Sequence, residues 1–343
     1  MNVALSMMPG EGFWRSVAAL ALALALGAGL ILAIGQDPLV AYGHLIFGSF
    51  TSLNNALNLI AILTPLLVTS AAVTLSFKSG VFNIGIEGQL FVGAFCAAIA
   101  AAYVPLPGPL LILTSLVAGA LGGAAWGFMP AYLRSVYGVS EIVSTIMLNY
   151  VAILLTQYLV AYPFNDNVGY AATKLIDPGA WLPAFTAFST ANVGIFIALG
   201  CCLLVAFALA RTAWGQEVKF VGSNPRFAES IGVSVLQRAF EAMMAAGALA
   251  GVAGALLVLG VFHRFIAELS PGYGYVAITI ALLARLSPLA VIPAALVYAL
   301  MMNGAGIMQQ QVSVPYPLVT VLQGGLIIFV TAEGLLWWSR RNG

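Results

Sequence analysis

Repeated apolar runs, each about 20 residues long and so able to cross a bilayer, are the feature that most constrains the fold of this chain. Its residues are 62% hydrophobic and only 7% charged, whereas soluble domains carry about 25% charged residues. A soluble fold of this length would need far more polar surface. A transmembrane barrel would instead show short segments of alternating polarity. We therefore predict an all-α, polytopic membrane protein.

The apolar runs predict ten transmembrane helices. Their approximate ranges are 16–34, 53–77, 82–104, 109–133, 139–162, 191–210, 239–262, 273–284, 287–303 and 315–337. The eighth range is too short to span a bilayer alone. Arg285, Ser287 and Pro288 break the apolar stretch that it shares with the ninth, so these two form either a re-entrant pair or one kinked unit.

The positions of Lys and Arg predict the orientation, because cytoplasmic loops of membrane proteins are enriched in basic residues. With the N-terminus inside, ten helices leave only Lys174 and Arg264 on the outer side. The cytoplasmic basic residues are Arg15, Lys78, Arg134, Arg211, Lys219, Arg226, Arg238, Arg285, Arg340 and Arg341. Both termini are then cytoplasmic, and residues 1–343 form a single transmembrane domain.

Two connections stand out by length. The external loop 163–190 could be a docking surface for an outside partner or an ordinary surface loop. The segment 211–238 is predicted to be cytoplasmic and holds six of the 23 charged residues of the chain. It is either a contact for another protein or a loop that is basic through the charge bias alone.

The stretch Lys78 to Gln89 combines three glycines with polar side chains where a helix should enter the membrane. If the backbone from Lys78 is helical, Glu87 lies roughly 13 Å deep, near the bilayer centre. A carboxylate there usually faces a cavity or a partner, and glycines permit unwound backbone. One interpretation is a broken helix in which Asn83, Glu87 and Gln89 line a translocation pathway. The other is a structural joint in which Glu87 binds neighbouring helix ends.

A second polar set lies on the predicted fifth helix. Ser140 is expected to cap this helix, and Glu141 lies in its first turn. Asn149 lies near mid-membrane on the same face as Glu141 and needs a hydrogen-bond partner. That partner is either another helix or a passing polar solute.

Several functions lack their sequence motifs. None of the three lysines follows a glycine, so the Gly-x-x-x-x-Gly-Lys-Ser/Thr loop that holds ATP phosphates cannot form. The sequence shows no catalytic set and no Cys/His spacing for a metal. A net charge of +1 gives no indication of nucleic acid binding. We therefore predict a chain that is not an enzyme and has no catalytic residues and no metal ligands.

Three stretches together resemble the permease subunits of bacterial ATP-binding-cassette (ABC) importers for nucleosides and simple sugars. The most specific is Phe82–Gln89, and Gly138–Tyr150 is similar to a block of the nucleoside-type branch. The third stretch combines Thr212–Gly215, Val221–Pro225 and Ile231–Val233 and resembles the loop that contacts the ATPase. The resemblance runs over most of the chain, from about residue 53 to residue 335.

The resemblance implies a multi-pass subunit of the bacterial inner membrane that forms a translocation pathway for a nucleoside or simple sugar. Its partners would be cytoplasmic ABC ATPases, a second, homologous but different permease, an external solute-binding protein and membrane lipid, with no nucleic acid. ATP and Mg would bind the ATPase, so this chain would hold no cofactor. The implied ATPase-coupling residues are Gly222, Asn224, Pro225, Arg226, Glu229 and Gly232, on a short helix near 224–231 and beside it. The implied substrate-pathway residues are Asn83, Glu87, Gln89 and Asn149.

Other functions stay open at this point. The main alternative is a secondary transporter driven by an ion gradient, with Glu87 as a proton or cation site. A membrane-embedded enzyme would need a paired acid and base, and a purely structural subunit would tolerate substitution of Glu87 and Asn149.

Overall fold

A computed structural model describes residues 25–187, 189–312 and 324 of the chain. Within them the chain is helical, and only two isolated β-bridges form. The helices are α1 (Ala25–Ala33), α2 (Pro38–Phe47), α3 (Leu53–Lys78), α4 (Ile86–Tyr103), α5 (Gly108–Tyr137), α6 (Glu141–Ala161), α7 (Gly194–Arg211), α8 (Ala213–Ser223), α9 (Pro225–Ser230), α10 (Val235–Leu257), α11 (Tyr273–Leu283) and α12 (Val291–Val312). A π-helical turn, Val258–Phe262, extends α10.

Seven helices of the described part are long and apolar enough to cross a membrane, namely α3, α4, α5, α6, α7, α10 with its π-turn, and α12. The pair Ala25–Ala33 and Pro38–Phe50, bent by 120°, would make an eighth span if it crosses as one unit. The expectation of an all-helical, multi-pass fold is confirmed. The range 273–284 forms α11, whose 11 residues are too few to span a bilayer, as predicted. The predicted helix 315–337 and residues 16–24 of the first helix lie outside the described ranges, so the count of ten stays a prediction.

The chain divides into two compact units. In the unit formed by residues 1–59 and 297–343, α1, α2 and the C-terminal part of α12 share a buried apolar cluster. Its members are Ile31, Ala41, Leu45, Ala305, Met308 and Val312. Asn303 on α12 donates hydrogen bonds to Ser49 Oγ at 3.0 Å and to the Asn55 carbonyl at 2.8 Å. Interhelical bonds of this kind stabilise helix pairs where the solvent is apolar.

In the unit formed by residues 60–296, α4, α5 and α10 pack against one another through glycines. Gly119 and Gly123 are four residues apart on α5, and Gly247 and Gly251 are four residues apart on α10. Each pair therefore lies along one face of its helix. A Cβ added at Gly251 would collide with the Gly119 carbonyl, and one added at Gly93 of α4 would collide with Gly251. Small residues at this spacing let helix backbones approach closely in membranes.

The segment 79–85 interrupts the helical path between α3 and α4. Gly80 has φ of +75°, a left-handed conformation that side chains disfavour. Helix α4 begins at Ile86, four residues later than the predicted start at 82. The interval from Lys78 to Glu87 is therefore not helical, and the depth of 13 Å expected for Glu87 from helical geometry does not apply.

The predicted external loop 163–190 packs on the chain that follows α10. Thr173 N–H donates to the Phe265 carbonyl at 2.9 Å, and Leu182 N–H donates to the Leu259 carbonyl at 2.9 Å. The Trp181 and His263 rings stack with centroids 4.0 Å apart. The loop is thus attached to the segment that continues towards α11.

Candidate functional site

Buried polar side chains stabilise the unwound segment 79–85. The Asn83 side chain is fully buried; its Oδ1 accepts a hydrogen bond from Gly85 N–H at 2.9 Å, and its Nδ2 donates to Gln89 Oε1 at 3.1 Å. Unpaired backbone amides are costly in an apolar interior, so non-helical backbone persists there only with such partners. Asn83 and Gln89, both predicted pathway residues, therefore hold the local backbone and each other.

Helix α6 completes this network from the other side. Thr145 Oγ1 accepts a hydrogen bond from Ile84 N–H at 3.3 Å. Asn149 Oδ1 accepts from Gly88 N–H at 2.8 Å, and its Nδ2 donates to the Ile84 carbonyl at 2.8 Å. The same Nδ2 lies 3.4 Å from the Tyr275 hydroxyl. The sequence left two kinds of partner open for Asn149, another helix or a passing solute. In the structure its hydrogen bonds go to other segments of the same chain.

The start of α6 differs from the sequence prediction in one detail. Ser140 occupies the N-cap position, but its side chain makes no capping hydrogen bond. Glu141 instead pairs with Arg134 of α5, with 2.7 Å between Nη1 and Oε1. This ion pair joins the end of α5 to the beginning of α6.

Glu87 connects α4 to the beginning of α11. Its side chain is buried, and Oε2 accepts a hydrogen bond from Gly274 N–H at 2.6 Å. The N-cap residue of α11 is Gly272, which has no side chain to accept from the first amides of the helix. Ser270 Oγ accepts from Tyr273 N–H at 3.0 Å, and the Glu87 carboxylate, from another helix, accepts the next amide at the end of α11 where the helix dipole favours negative charge. A Cβ at Gly274 would crowd the Glu87 backbone, so the glycine permits this close approach.

A cavity of about 570 Å³ opens beside this contact. Its walls come from α4, from α6 and from the segment 262–275, which runs from the π-turn into α11. Glu87 is the one predicted pathway residue among the lining residues, whereas Asn83, Gln89 and Asn149 lie outside the lining. The volume falls in the range typical of small-molecule sites.

The polar side chains around the cavity are carboxylates, an amide, phenols and one aliphatic hydroxyl, from Glu87, Glu268, Gln157, Tyr273, Tyr275 and Ser270. The described residues contain no group of three or more His, Cys, Asp or Glu side chains that could hold a metal ion. Aromatic rings and scattered hydrogen-bonding groups suit the reversible contact of a polar organic solute.

The segment 211–238 contains two short helices, α8 and α9. Thr212 Oγ1 accepts from Gly215 N–H at 3.0 Å and caps α8, and Asn224 Oδ1 accepts from Phe227 N–H at 3.1 Å and caps α9. Pro225 occupies the first turn of α9, as expected, because its fixed φ suits that position. Gly232 has φ of +83° just after α9. The predicted coupling residues Asn224, Pro225, Arg226, Glu229 and Gly232 are all exposed.

Gly222, the sixth predicted coupling residue, is also exposed, but its backbone lies against the end of α3. A Cβ added there would collide with the Lys78 carbonyl and crowd the Gly80 amide. Since Lys78 ends α3 and Gly80 begins the unwound segment, α8 contacts the backbone that leads towards Glu87. The ion pair of Arg238 with Glu217 also joins α10 to α8, as does the hydrogen bond that Trp214 Nε1–H donates to Glu241 at 2.8 Å.

Comparison with known proteins identifies the family. A protein-family model described as branched-chain amino acid transport system, permease component, matches residues 55–331, most of the chain. The chain belongs to this permease family. The resemblance predicted from the sequence motifs is thereby confirmed at the level of the family.

Individual relatives match the permease over nearly its full length. It is 30% identical over 322 residues to the nucleoside ABC transporter permease protein NupB of Lactococcus lactis subsp. cremoris, covering 91% of this chain and 88% of that protein. It is 32% identical over 351 residues to the glucose ABC transporter permease protein TsgB13 of Haloferax volcanii, covering 97% and 92%. The guanosine ABC transporter permease protein NupP of Bacillus subtilis is 30% identical over 321 residues, covering 92% of both chains.

Sequence reasoning missed most of the lining of the permease cavity. Gln157 and Glu268 are polar residues at the ends of apolar stretches, and nothing local relates one to the other. The run Ser270-Pro-Gly-Tyr-Gly-Tyr275 is a turn signal that could have pointed to a loop facing Glu87.

Proposed function

We propose that this permease is a membrane subunit of an ABC importer that moves a nucleoside or a simple sugar. The observation that carries the proposal is the similarity, over more than nine-tenths of the chain, to permease proteins of nucleoside, guanosine and glucose ABC transporters. A permease without its own ATP-binding motif needs a separate ATPase, which would hold the ATP and Mg. A second permease subunit and an external solute-binding protein complete the proposed assembly, which lies in the bacterial inner membrane.

The proposed topology has ten transmembrane helices with both termini in the cytoplasm. The bias of basic residues towards one side supports it. The segment 211–238 then lies inside, and the loop 163–190 lies outside, where the binding protein would deliver the solute. In this proposal residues 1–343 act as one transmembrane domain.

The exposed helix α9 is the proposed contact with the ATPase. Its capped start and the left-handed Gly232 after it make a short, well-defined protrusion, and Arg226 and Glu229 offer charges of both signs. Through Gly222, movement of this segment would reach the backbone at Gly80 and the unwound segment. Discrete packed contacts of this kind can transmit a rigid-body movement.

The proposed substrate pathway includes the cavity beside Glu87. Asn83, Gln89 and Asn149 support this pathway by holding the unwound segment in place. Glu87 both lines the cavity and fixes the beginning of α11.

Uptake into proteoliposomes tests the proposal. The complete importer is assembled from this permease, the second permease, the ATPase and the binding protein, and uptake of labelled guanosine and of labelled glucose is measured with and without ATP. We expect ATP-dependent uptake of one of these solutes and no uptake by the permease alone. Uptake by the permease alone under a proton or sodium gradient would instead establish the secondary-transporter alternative.

A further inference from the structure

The cavity beside Glu87 has a chemical character that narrows the solute it can accept. Among the described residues that line it, two carry carboxylates, Glu87 and Glu268, and none is Lys, Arg or His. Anionic solutes would meet the like charge of Glu268 there without a compensating cation, and like charges repel. Neutral solutes are therefore favoured.

Apolar and aromatic groups supply most of the wall. Phe91 and Phe262 contribute rings without polar groups, and Tyr275 contributes a ring with a hydroxyl. Aromatic faces stack on flat heterocycles and also pack against the C–H faces of sugar rings. The wall thus suits a ring-shaped solute.

The polar side chains that line the cavity differ in which hydrogen-bonding atoms remain available to a solute. Glu87 Oε2 already accepts the Gly274 amide proton. Gln157 Nε2 donates at 3.4 Å to the Ala267 carbonyl, so its Oε1 is free to accept. The Tyr275 hydroxyl accepts from Asn149 and keeps its own proton to donate.

Glu268 is the most available of these groups. It is exposed, and its carboxylate has no hydrogen-bond or ion-pair partner within residues 25–187 and 189–312. An ionised carboxylate is an acceptor with two oxygens, which can receive protons from two neighbouring donors. Adjacent hydroxyl groups of a sugar ring present such a pair.

We propose that Gln157, Glu268 and Tyr275 are the side chains through which the permease contacts its solute, and that Glu268 accepts hydrogen bonds from two adjacent hydroxyl groups of that solute. The inference rests on the proposed function and adds the residues and the chemical group they recognise. A vicinal diol occurs both in the ribose of a nucleoside and in a simple sugar, so the proposal applies to either solute.

A selectivity ratio measured in the complete importer tests this contact. In proteoliposomes with binding protein and solute at saturation, the maximal ATP-dependent rate is measured for guanosine and 2′-deoxyguanosine, and in a second arm for methyl glucoside and methyl 3-deoxyglucoside, which has no two adjacent hydroxyl groups. Saturation removes differences in affinity for the binding protein from the comparison. Wild type should move the diol faster than its deoxy analogue by about tenfold or more, since hydrogen bonds to charged groups contribute about 1.5–3 kcal/mol.

Glu268→Gln should bring this ratio to within about twofold of unity, because the amide keeps the shape but loses the charge and one acceptor oxygen. Glu268→Ser removes the carboxylate without adding bulk and should lower the same ratio. Asp37→Asn is the matched control: it neutralises a carboxylate that caps α2, a position where Asn caps equally well, and should leave the ratio unchanged.

Two results would overturn the inference in distinguishable ways. If Glu268→Gln imports the solute with the wild-type ratio, the diol contact is wrong while the proposed function stands. If wild type imports neither solute with ATP, the proposed function fails and the contact fails with it.

Discussion

At the scale of single residues, polar side chains buried in an apolar bundle act mainly on the backbone. Asn83, Asn149 and Glu87 each bind amides or carbonyls of segments that are not helical or that begin a helix. The sequence predicted that these residues either line a pathway or bind neighbouring helices, because strongly polar side chains are rare in membrane interiors. It could not predict their partners, since Glu87 and Gly274 are 187 residues apart in the chain.

Glu87 gives the sharpest residue-scale prediction. Glu87→Leu should lower the free energy of unfolding by about 1–3 kcal/mol because it leaves the buried Gly274 amide without an acceptor. Glu87→Gln retains an acceptor oxygen and should lose less. Unfolding of the purified permease in detergent, followed by circular dichroism in increasing denaturant, measures the difference. Equal stability of the two variants would contradict the assigned hydrogen bond.

Asn149 tests the other side of the network. Asn149→Leu removes the acceptor for Gly88 N–H and the donor to the Ile84 carbonyl at once, leaving two buried backbone groups unpaired. We expect a loss of stability of about 2 kcal/mol or more and faster hydrogen exchange in the segment 79–85. Thr114→Val on α5 is a control, because the lost hydroxyl bonds only within its own helix at an exposed position. Unchanged exchange in 79–85 would rule out the supporting role of Asn149.

At the scale of elements, glycine determines where helices approach and where they stop. The glycines of 78–89 correctly predicted an unwound segment, but the predicted helix began at 82 rather than at Ile86. The difference arises because the Asn83 side chain binds Gly85 and Gln89 locally and so competes with the helix. Ser140 lies at the N-cap position of α6 as expected, but its side chain makes no capping hydrogen bond, and the Glu141–Arg134 ion pair joins the start of this helix to α5.

The glycine contacts of α4, α5 and α10 predict a clear contrast between two substitutions. Gly251→Leu should prevent stable folding, because the added side chain would have to displace the backbone of α5 at Gly119. Gly200→Leu on α7 should be tolerated, since nothing lies within 4 Å of an added Cβ there. Yield and monodispersity of each variant in size-exclusion chromatography measure the outcome. A monodisperse Gly251→Leu variant with wild-type yield would refute the close packing.

The contact between α8 and the end of α3 predicts an effect on coupling. Gly222→Val should push α8 away from the Lys78 carbonyl and so lower the ratio of solute imported to ATP hydrolysed several-fold. Gly200→Val, with open space around it, is the matched control. The ratio is obtained from uptake and phosphate release in the same proteoliposomes. A wild-type ratio in the Gly222 variant would exclude this contact as a route of coupling.

At the scale of the whole molecule, the fold class and the family could both be predicted from the sequence. The apolar runs predicted the helical membrane fold, and three short motifs predicted the family that the comparisons established. The cavity could not be predicted, because its walls bring together α4, α6 and the segment 262–275 from distant parts of the sequence. Such a site follows from tertiary packing rather than from spacing along the chain.

We propose that the segment 211–238 receives mechanical force from a separate ATPase. Crosslinking tests this contact: Arg226→Cys is introduced into a variant whose three native cysteines are replaced by serine or alanine, and disulfide formation with single cysteines on the ATPase is followed during ATP-driven import. We expect position 226 to crosslink to the ATPase and to stay unlabelled by a membrane-impermeant maleimide added outside right-side-out vesicles. Labelling from the outside, with no crosslink to the ATPase during active import, would rule out this role of the segment.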